Sequence, residues 1–183
     1  EMAYDEREKA EFLSNMYKTE HYEIVLKAGD MERVMHSLIW HMEDLRVGQS
    51  YPNYYISRLA SKFVKVVLSG TGGDELFAGY PWRYYRAVVN DDREHYMEKY
   101  YKYWQRLIPD SYKPSFYQPD IYPKIWNYQT KDVFYNVLSS KMGGSISPEE
   151  YVNMSLYFES KTFLQGLFLV EDKLSMAHSL ETR

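Results

Sequence analysis

The stretch Phe63–Leu68 is apolar and β-branched, and it does not alternate. Such a run predicts a strand buried on both faces, the pattern of a parallel sheet covered by helices. The run breaks at once into Ser69-Gly70-Thr71-Gly72-Gly73, followed by Asp74 and Glu75. A buried strand that ends in a small-residue turn limits the fold more than any other feature of the chain. Upstream, Tyr22 to Leu26 reads as a short strand. Asp30 is placed to cap a helix with Met31, Val34, Leu38, Met42 and Leu45 along one face. A loop is expected from Gly48 to Asn53, which holds Pro52, and a further helix over Tyr54 to Ser61. The order strand, helix, helix, strand predicts an α/β fold, with helices layered on a parallel sheet.

The ends of this core are helical. Asp5 and Glu8 form a candidate capping box ahead of Ala10, Leu13, Met16 and Tyr17. After Tyr80 the pattern changes. Pro81 suits the first position of a helix, and helical signals follow over Asp92 to Leu107 and Thr130 to Leu138. The Pro- and Tyr-rich stretch from Pro109 to Pro123 is too apolar for a linker and reads as packed loop. Met142 to Ser147 reads as a turn. Ser147-Pro148-Glu149-Glu150 carries a capping serine, Pro at N1 and Glu at N3. Its helix is expected to reach about Leu167, with Val152, Leu156, Phe163 and Leu167 on the apolar face and Asp172 to Ser175 delivered to the cleft at Gly72.

Composition excludes several classes of function. The 183 residues carry a net charge of -4 with no basic stripe, which argues against nucleic-acid binding. Arg83 and Arg86 read as a solvated helix face. With no cysteine, disulfide and thiolate chemistry are excluded. The five histidines show no zinc-ligand spacing. No long apolar run or signal peptide appears, so a cytoplasmic location is the default. There are 20 tyrosines. Their apolar bodies and polar tips suit helix packing around a polar cleft or a partner surface, although a plain compositional bias gives the same count.

The glycine turn carries the chemistry. Ligands of open α/β sheets bind beyond the carboxyl ends of the strands. Gly70, Gly72 and Gly73 permit positive φ and close backbone approach, and successive N–H groups there can form an anion nest. Asp74 and Glu75 would repel phosphate unless a cation intervened, and Mg²⁺ binds through carboxylates together with substrate phosphates. The turn is neither a Walker A loop nor a dinucleotide fingerprint. The competing reading is a tight strand-to-helix turn with Asp74 as a local cap.

Ser69-Gly70-Thr71-Gly72-Gly73-Asp74-Glu75-Leu76-Phe77-Ala78-Gly79-Tyr80 resembles a signature of the synthetase domain of glutamine-hydrolysing asparagine synthetases. Tyr4-Asp5-Glu6, Ala10 and Glu20-His21-Tyr22 resemble the preceding segment. Phe163-Leu164, Asp172-Lys173, Ser175-Met176-Ala177 and Ser179-Leu180-Glu181-Thr182-Arg183 resemble a third signature. The resemblance spans nearly the whole chain. It implies an α/β fold of the adenine-nucleotide alpha-hydrolase (PP-loop ATP pyrophosphatase) type, truncated here, with a largely helical second half. The chain would be one partial synthetase domain, with residues 1–80 as the α/β part and 81–183 mainly helical. The opening at Glu1 and the close at Arg183, inside a motif, make it read as an internal piece of a longer protein.

The resemblance implies ATP and Mg²⁺ as cofactors, adenylation of a carboxylate, and attack by ammonia from an N-terminal glutaminase domain. The substrate would be aspartate, or another carboxylate such as a sugar acid of a polysaccharide. A degenerate nucleotide-binding module and a helical interaction scaffold are the competing readings. A homodimer is a further expectation. Matched onto this chain, Ser69, Gly70, Thr71, Gly72 and Gly73 would hold the pyrophosphate side of ATP, and Asp74 would bind the metal. Glu75 would bind it too or cap the next helix. Asp74 and Lys173 are the candidate catalytic residues. Thr71 stands where many members carry an acidic residue, and this leaves the acceptor open. Tyr80, Trp82 and Arg83 would shape the rim, or Trp82 the core. Glu181 and Arg183 would pair to brace the site, or face a further segment of the longer protein. No Ser-Gly-Gly-x-Asp-Ser loop occurs in this sequence, so the piece alone is expected to be inactive.

Overall fold

The computed structural model describes residues 5–44, 50–88, 92–105, 108–139 and 147–183. In chain order the elements are α1 (Arg7–Tyr17), α2 (Asp30–Met42), α3 (Ser50–Ala60), β1 (Val66–Val67), α4 (Gly73–Phe77), α5 (Pro81–Val88), α6 (Arg93–Trp104), a 3₁₀ turn (Asp110–Tyr112), α7 (Lys113–Phe116), α8 (Tyr122–Ile125), α9 (Thr130–Leu138), α10 (Pro148–Lys161), α11 (Phe163–Met176) and β2 (Glu181–Thr182). The described chain is mostly helical, with a small parallel sheet in which Val66 is opposite Glu181 and Val67 opposite Thr182. Leu45, Leu107 and the turn expected over 142–146 lie outside the described residues.

Contacts divide the chain into two compact units. One comprises the residues up to Leu68 together with Val170–Arg183, and the other Ser69–Leu169. In the first unit, Leu38 and Met42 of α2 pack with Val170 and Leu174 of α11, flanked by Tyr51 and Tyr54 of α3. The helical spacing of Val34, Leu38 and Met42 thus marks the buried face correctly. Asp30 starts α2 after left-handed Gly29, and its carboxylate accepts the Lys27 N–H and the Arg33 guanidinium. Glu181 N–H donates to Lys65 O and Arg183 N–H to Val67 O, which ties the two ends of this unit into the sheet.

Several expectations are corrected in this unit. Phe63–Leu68 is not a strand buried on both faces. The Phe63 and Val64 N–H groups still donate to Ala60 O at the end of α3, and the strand is confined to Val66 and Val67, with Lys65 O accepting the Glu181 N–H at its start. Among the described residues β1 is paired on one edge only, and Val66 and Leu68 are 49% and 89% exposed. Tyr22 to Leu26 forms no strand. Tyr22 instead packs its ring on Phe63 at 4.4 Å. Asp5 stands one residue before the N-cap, Glu6, and no capping box is formed. The Arg7 guanidinium and N–H capture the Asp5 carboxylate and hold its pKa down at about 2. The loop expected at Pro52 is the first turn of α3, where proline costs no helical hydrogen bond.

The second unit is built on tyrosine. Tyr96, Met97, Tyr100 and Tyr101 of α6 pack with Phe134 and Leu138 of α9 and with Tyr151, Met154 and Phe158 of α10. Pro81 opens α5 as expected. Asp92 caps α6 by accepting the His95 N–H, and α9 spans Thr130–Leu138 as read. The Pro- and Tyr-rich stretch carries the 3₁₀ turn, α7 and α8. The capping box at Ser147 and Glu150 is present. Its helix stops at Lys161, short of Leu167. The Thr162 hydroxyl takes the Phe158 carbonyl at 2.7 Å, in competition with the helical ladder, and the chain restarts at Phe163. The face buried on α10 is Tyr151, Met154, Ser155, Phe158 and Glu159, while Val152 and Leu156 are only half-buried.

Candidate nucleotide and metal site

The turn after β1 is drawn tight by its own side chains. Ser69 Oγ accepts the Thr71 N–H and donates to Thr71 Oγ1, both at 3.0 Å. Gly73 N–H reaches Gly70 O at 3.3 Å. Gly72 has φ +102° and ψ -15°, which lets the chain enter α4. It is buried, and a Cβ there would meet Leu164 at 3.3 Å and Phe168 at 3.4 Å. At Gly70 and Gly73 a Cβ would meet nothing within 4 Å. One glycine therefore serves packing, and the other two leave open space where a side chain would stand.

The two carboxylates take opposite environments. Asp74 is exposed, and Gly79 folds back against it, its N–H bonding Asp74 O at 2.9 Å. A Cβ at Gly79 would fall 1.9 Å from Asp74 Oδ1. Glu75 is 2% exposed and accepts the Tyr80 hydroxyl at 2.8 Å. Burial, then that hydrogen bond to a carboxylate, pushes the Tyr80 phenol far above its ordinary pKa. Among the described residues no cluster of three or more His, Asp or Glu is arranged to hold a metal. Exposed Asp74 beside open glycine backbone fits an ion shared with a ligand's phosphates rather than one held by protein alone.

Behind the turn lies a buried polar network. Arg83 is not a solvated or rim residue: it is 7% exposed and donates to Glu159 at 2.9 Å. Tyr84 and Tyr100 donate to the same carboxylate at 3.2 and 3.1 Å. Burial, and next the Glu159 charge, raises both phenols. The tyrosines therefore supply both apolar core and donors to a carboxylate that is fully buried. No sequence signal pointed to Glu159, because an acidic residue in a charged helix reads as surface. Trp82 is 53% exposed, which removes its core reading.

In the first unit, Lys173 donates to Met42 O at 2.7 Å and pairs with Glu43 at 3.1 Å, while Asp172 is exposed. The expected Glu181–Arg183 pair forms at 2.7 Å on the surface.

Residues 1–183 match the asparagine synthase family model over their whole length. The chain belongs to the asparagine synthase family. It is 38% identical over 78 residues to a protein of Methanocaldococcus jannaschii named putative asparagine synthetase [glutamine-hydrolyzing] 2, covering 42% of this chain and 15% of that one. Against asparagine synthetase [glutamine-hydrolyzing] 1 of Bacillus subtilis it is 23% identical over 171 residues, 80% of this chain and 27% of the relative. Against a putative asparagine synthetase [glutamine-hydrolyzing] of Mycobacterium tuberculosis it is 36% identical over 61 residues, 33% of this chain and 9% of the relative. The chain thus aligns with no more than about a quarter of the length of these relatives. No solved structure matches it.

Proposed function

We propose that this chain supplies part of the nucleotide and metal site of an ATP-dependent, amide-forming synthetase, within an α/β fold of the PP-loop ATP pyrophosphatase type. In that reading residues 1–80 belong to the α/β part and 81–183 to a helical flank of one synthetase domain. The observation that carries it is the open backbone over Gly70 and Gly73 beside exposed Asp74, in a chain of this family.

A substrate carboxylate oxygen attacks the α-phosphorus of ATP, and pyrophosphate leaves. Ammonia then attacks the acyl carbon, and AMP leaves with the carboxylate oxygen as the amide forms. Negative charge builds on the departing pyrophosphate, so fixed donors placed there lower the barrier. The Gly70 backbone and the Thr71 hydroxyl are the donors proposed for it, joined by the Gly73 N–H and the Ser69 hydroxyl once these give up their bonds to Gly70 O and Thr71 Oγ1. Mg²⁺ held by Asp74 would neutralise the same charge. Buried Glu75, already bonded to Tyr80, is assigned to bracing α4, with metal contact left to Asp74. Lys173 is proposed as a cation on the substrate side; its Glu43 partner is exposed, which favours exchange of that pair for a ligand.

The acceptor is proposed to be aspartate, with ammonia delivered by a glutaminase domain. Thr71 supports a second reading, a different carboxylate such as a sugar acid, because its hydroxyl cannot act as a base. The test is ATP–pyrophosphate exchange by the full-length protein, with aspartate and with a panel of sugar acids. Exchange stimulated by one acid identifies the acceptor. Failure of every carboxylate to stimulate exchange overturns the reading.

A further inference from the structure

Arg83 is buried within the second unit, at 7% exposure. Its Nη1 donates to Glu159, and its Cζ lies 3.7 Å from the Tyr80 ring centroid and 4.7 Å from that of Phe163. Its Nε is buried with no hydrogen-bond partner. Glu159 is itself fully buried and is fixed by Tyr84 from α5 and Tyr100 from α6. Stability is a weak explanation for such a pair. Two buried charges lose most of their Coulomb gain to desolvation, and apolar residues of equal volume often serve as well. A planar guanidinium gripped by a carboxylate supplies a fixed orientation. That orientation sets the Tyr80 ring, whose hydroxyl holds Glu75 at 2.8 Å. Glu75 follows Gly73 and Asp74 on α4. A helix of five residues does not persist by its own hydrogen bonds, so something outside it must hold it in place.

We propose that Arg83, anchored by Glu159 and acting through Tyr80 and Glu75, is the positioning residue that holds the Gly72–Asp74 segment in register for its ligand. The proposal rests on the reading of the turn as a phosphate and metal site, and it names a residue that reaches that ligand only through others.

Two measurements test it separately. In this chain, amide hydrogen exchange of Leu76, Ala78 and Gly79 is compared with that of α9, for wild type, Glu159→Gln and the volume-matched double variant Arg83→Met/Glu159→Met. Positioning predicts exchange at least tenfold faster at those three amides with α9 unchanged. Unchanged turn exchange overturns the proposal. So does an equal rise in α9, which would mark general loosening. In the full-length protein, the double variant should raise the KM for MgATP in pyrophosphate exchange at least fivefold, with a smaller change in kcat. Arg83→Lys should recover less than half of that loss, because ammonium lacks the stacked plane. A normal KM in the folded double variant overturns the positioning claim. If the wild type shows no pyrophosphate exchange, the functional reading fails, and the amide comparison still decides the role of Arg83.

Discussion

Replacing Gly72 and Gly73 in turn by alanine should have opposite effects on stability, although the two are neighbours. At Gly72 the backbone holds φ +102°, a region that L residues occupy at a cost of about 1–3 kcal/mol. The new Cβ would also press on Leu164 at 3.3 Å and Phe168 at 3.4 Å. Leu164 is buried and yields little, whereas Phe168 is 49% exposed and can swing away, so crowding adds only modestly. At Gly73 the backbone is helical and a Cβ meets nothing within 4 Å. Alanine there removes unfolded-state entropy and should stabilise by roughly 0.5–1 kcal/mol. At about 2–4 °C per kcal/mol for a chain of this size, Gly72→Ala should lower Tm by roughly 2–12 °C, while Gly73→Ala leaves it equal or higher. Thermal and urea unfolding of both variants decide the matter. A Gly72→Ala protein as stable as wild type, or a Gly73→Ala protein equally weakened, would refute the assignment of one glycine to packing and the other to an open face. In the full-length protein Gly73→Ala should still impair pyrophosphate exchange, since its methyl enters the space proposed for phosphate.

Three other outcomes are expected. Gly79→Ala must drive the Asp74 side chain from its seat, because the new Cβ would lie 2.7 Å from Asp74 Cβ as well as against its carboxylate; a chemical-shift change at the Asp74 carboxyl with the α9 signals unmoved checks this, and an unshifted carboxyl contradicts it. Ser147→Ala removes the capping box of α10 and should cost about 1 kcal/mol in urea unfolding, with no change speaking against the cap. Burial, then the charges of Arg58 and His41, lowers the His178 pKa; the unfolded chain therefore binds that proton first, and stability should fall as pH drops below about 6.5. His178→Gln should flatten the decline between pH 7.5 and 5, and an unaltered slope would contradict the assignment.

Local signals were legible where chemistry acts within one turn of chain. Asp92, Pro81 and the Ser147–Glu150 box mark helix starts, and Val34, Leu38 and Met42 mark a buried face. The glycine turn was visible because small residues interrupt an apolar run. The strand Phe63–Leu68 was overread, because non-alternating apolar residues report a capacity for burial and not the neighbours that provide it. Here the end of α3 consumes Phe63 and Val64, and β2 pairs one edge. Glu159 and Arg83 were illegible for a related reason: their partners lie some 75 residues apart in sequence. Gly79 belongs to the same motif, but its purpose shows only in the fold, where the Asp74 side chain lies where a Cβ would be.

Asp74 is the exposed carboxylate of the glycine turn, and the metal role rests on it. The direct measurement is ATP–pyrophosphate exchange by the full-length protein and its Asp74→Asn variant, each shown to be folded by near-UV circular dichroism. Asp74→Asn should lose at least tenfold, a barrier increase of about 1.4 kcal/mol, relieved in part by raised Mg²⁺. Exchange at the wild-type rate in a folded Asp74→Asn protein would contradict the metal role.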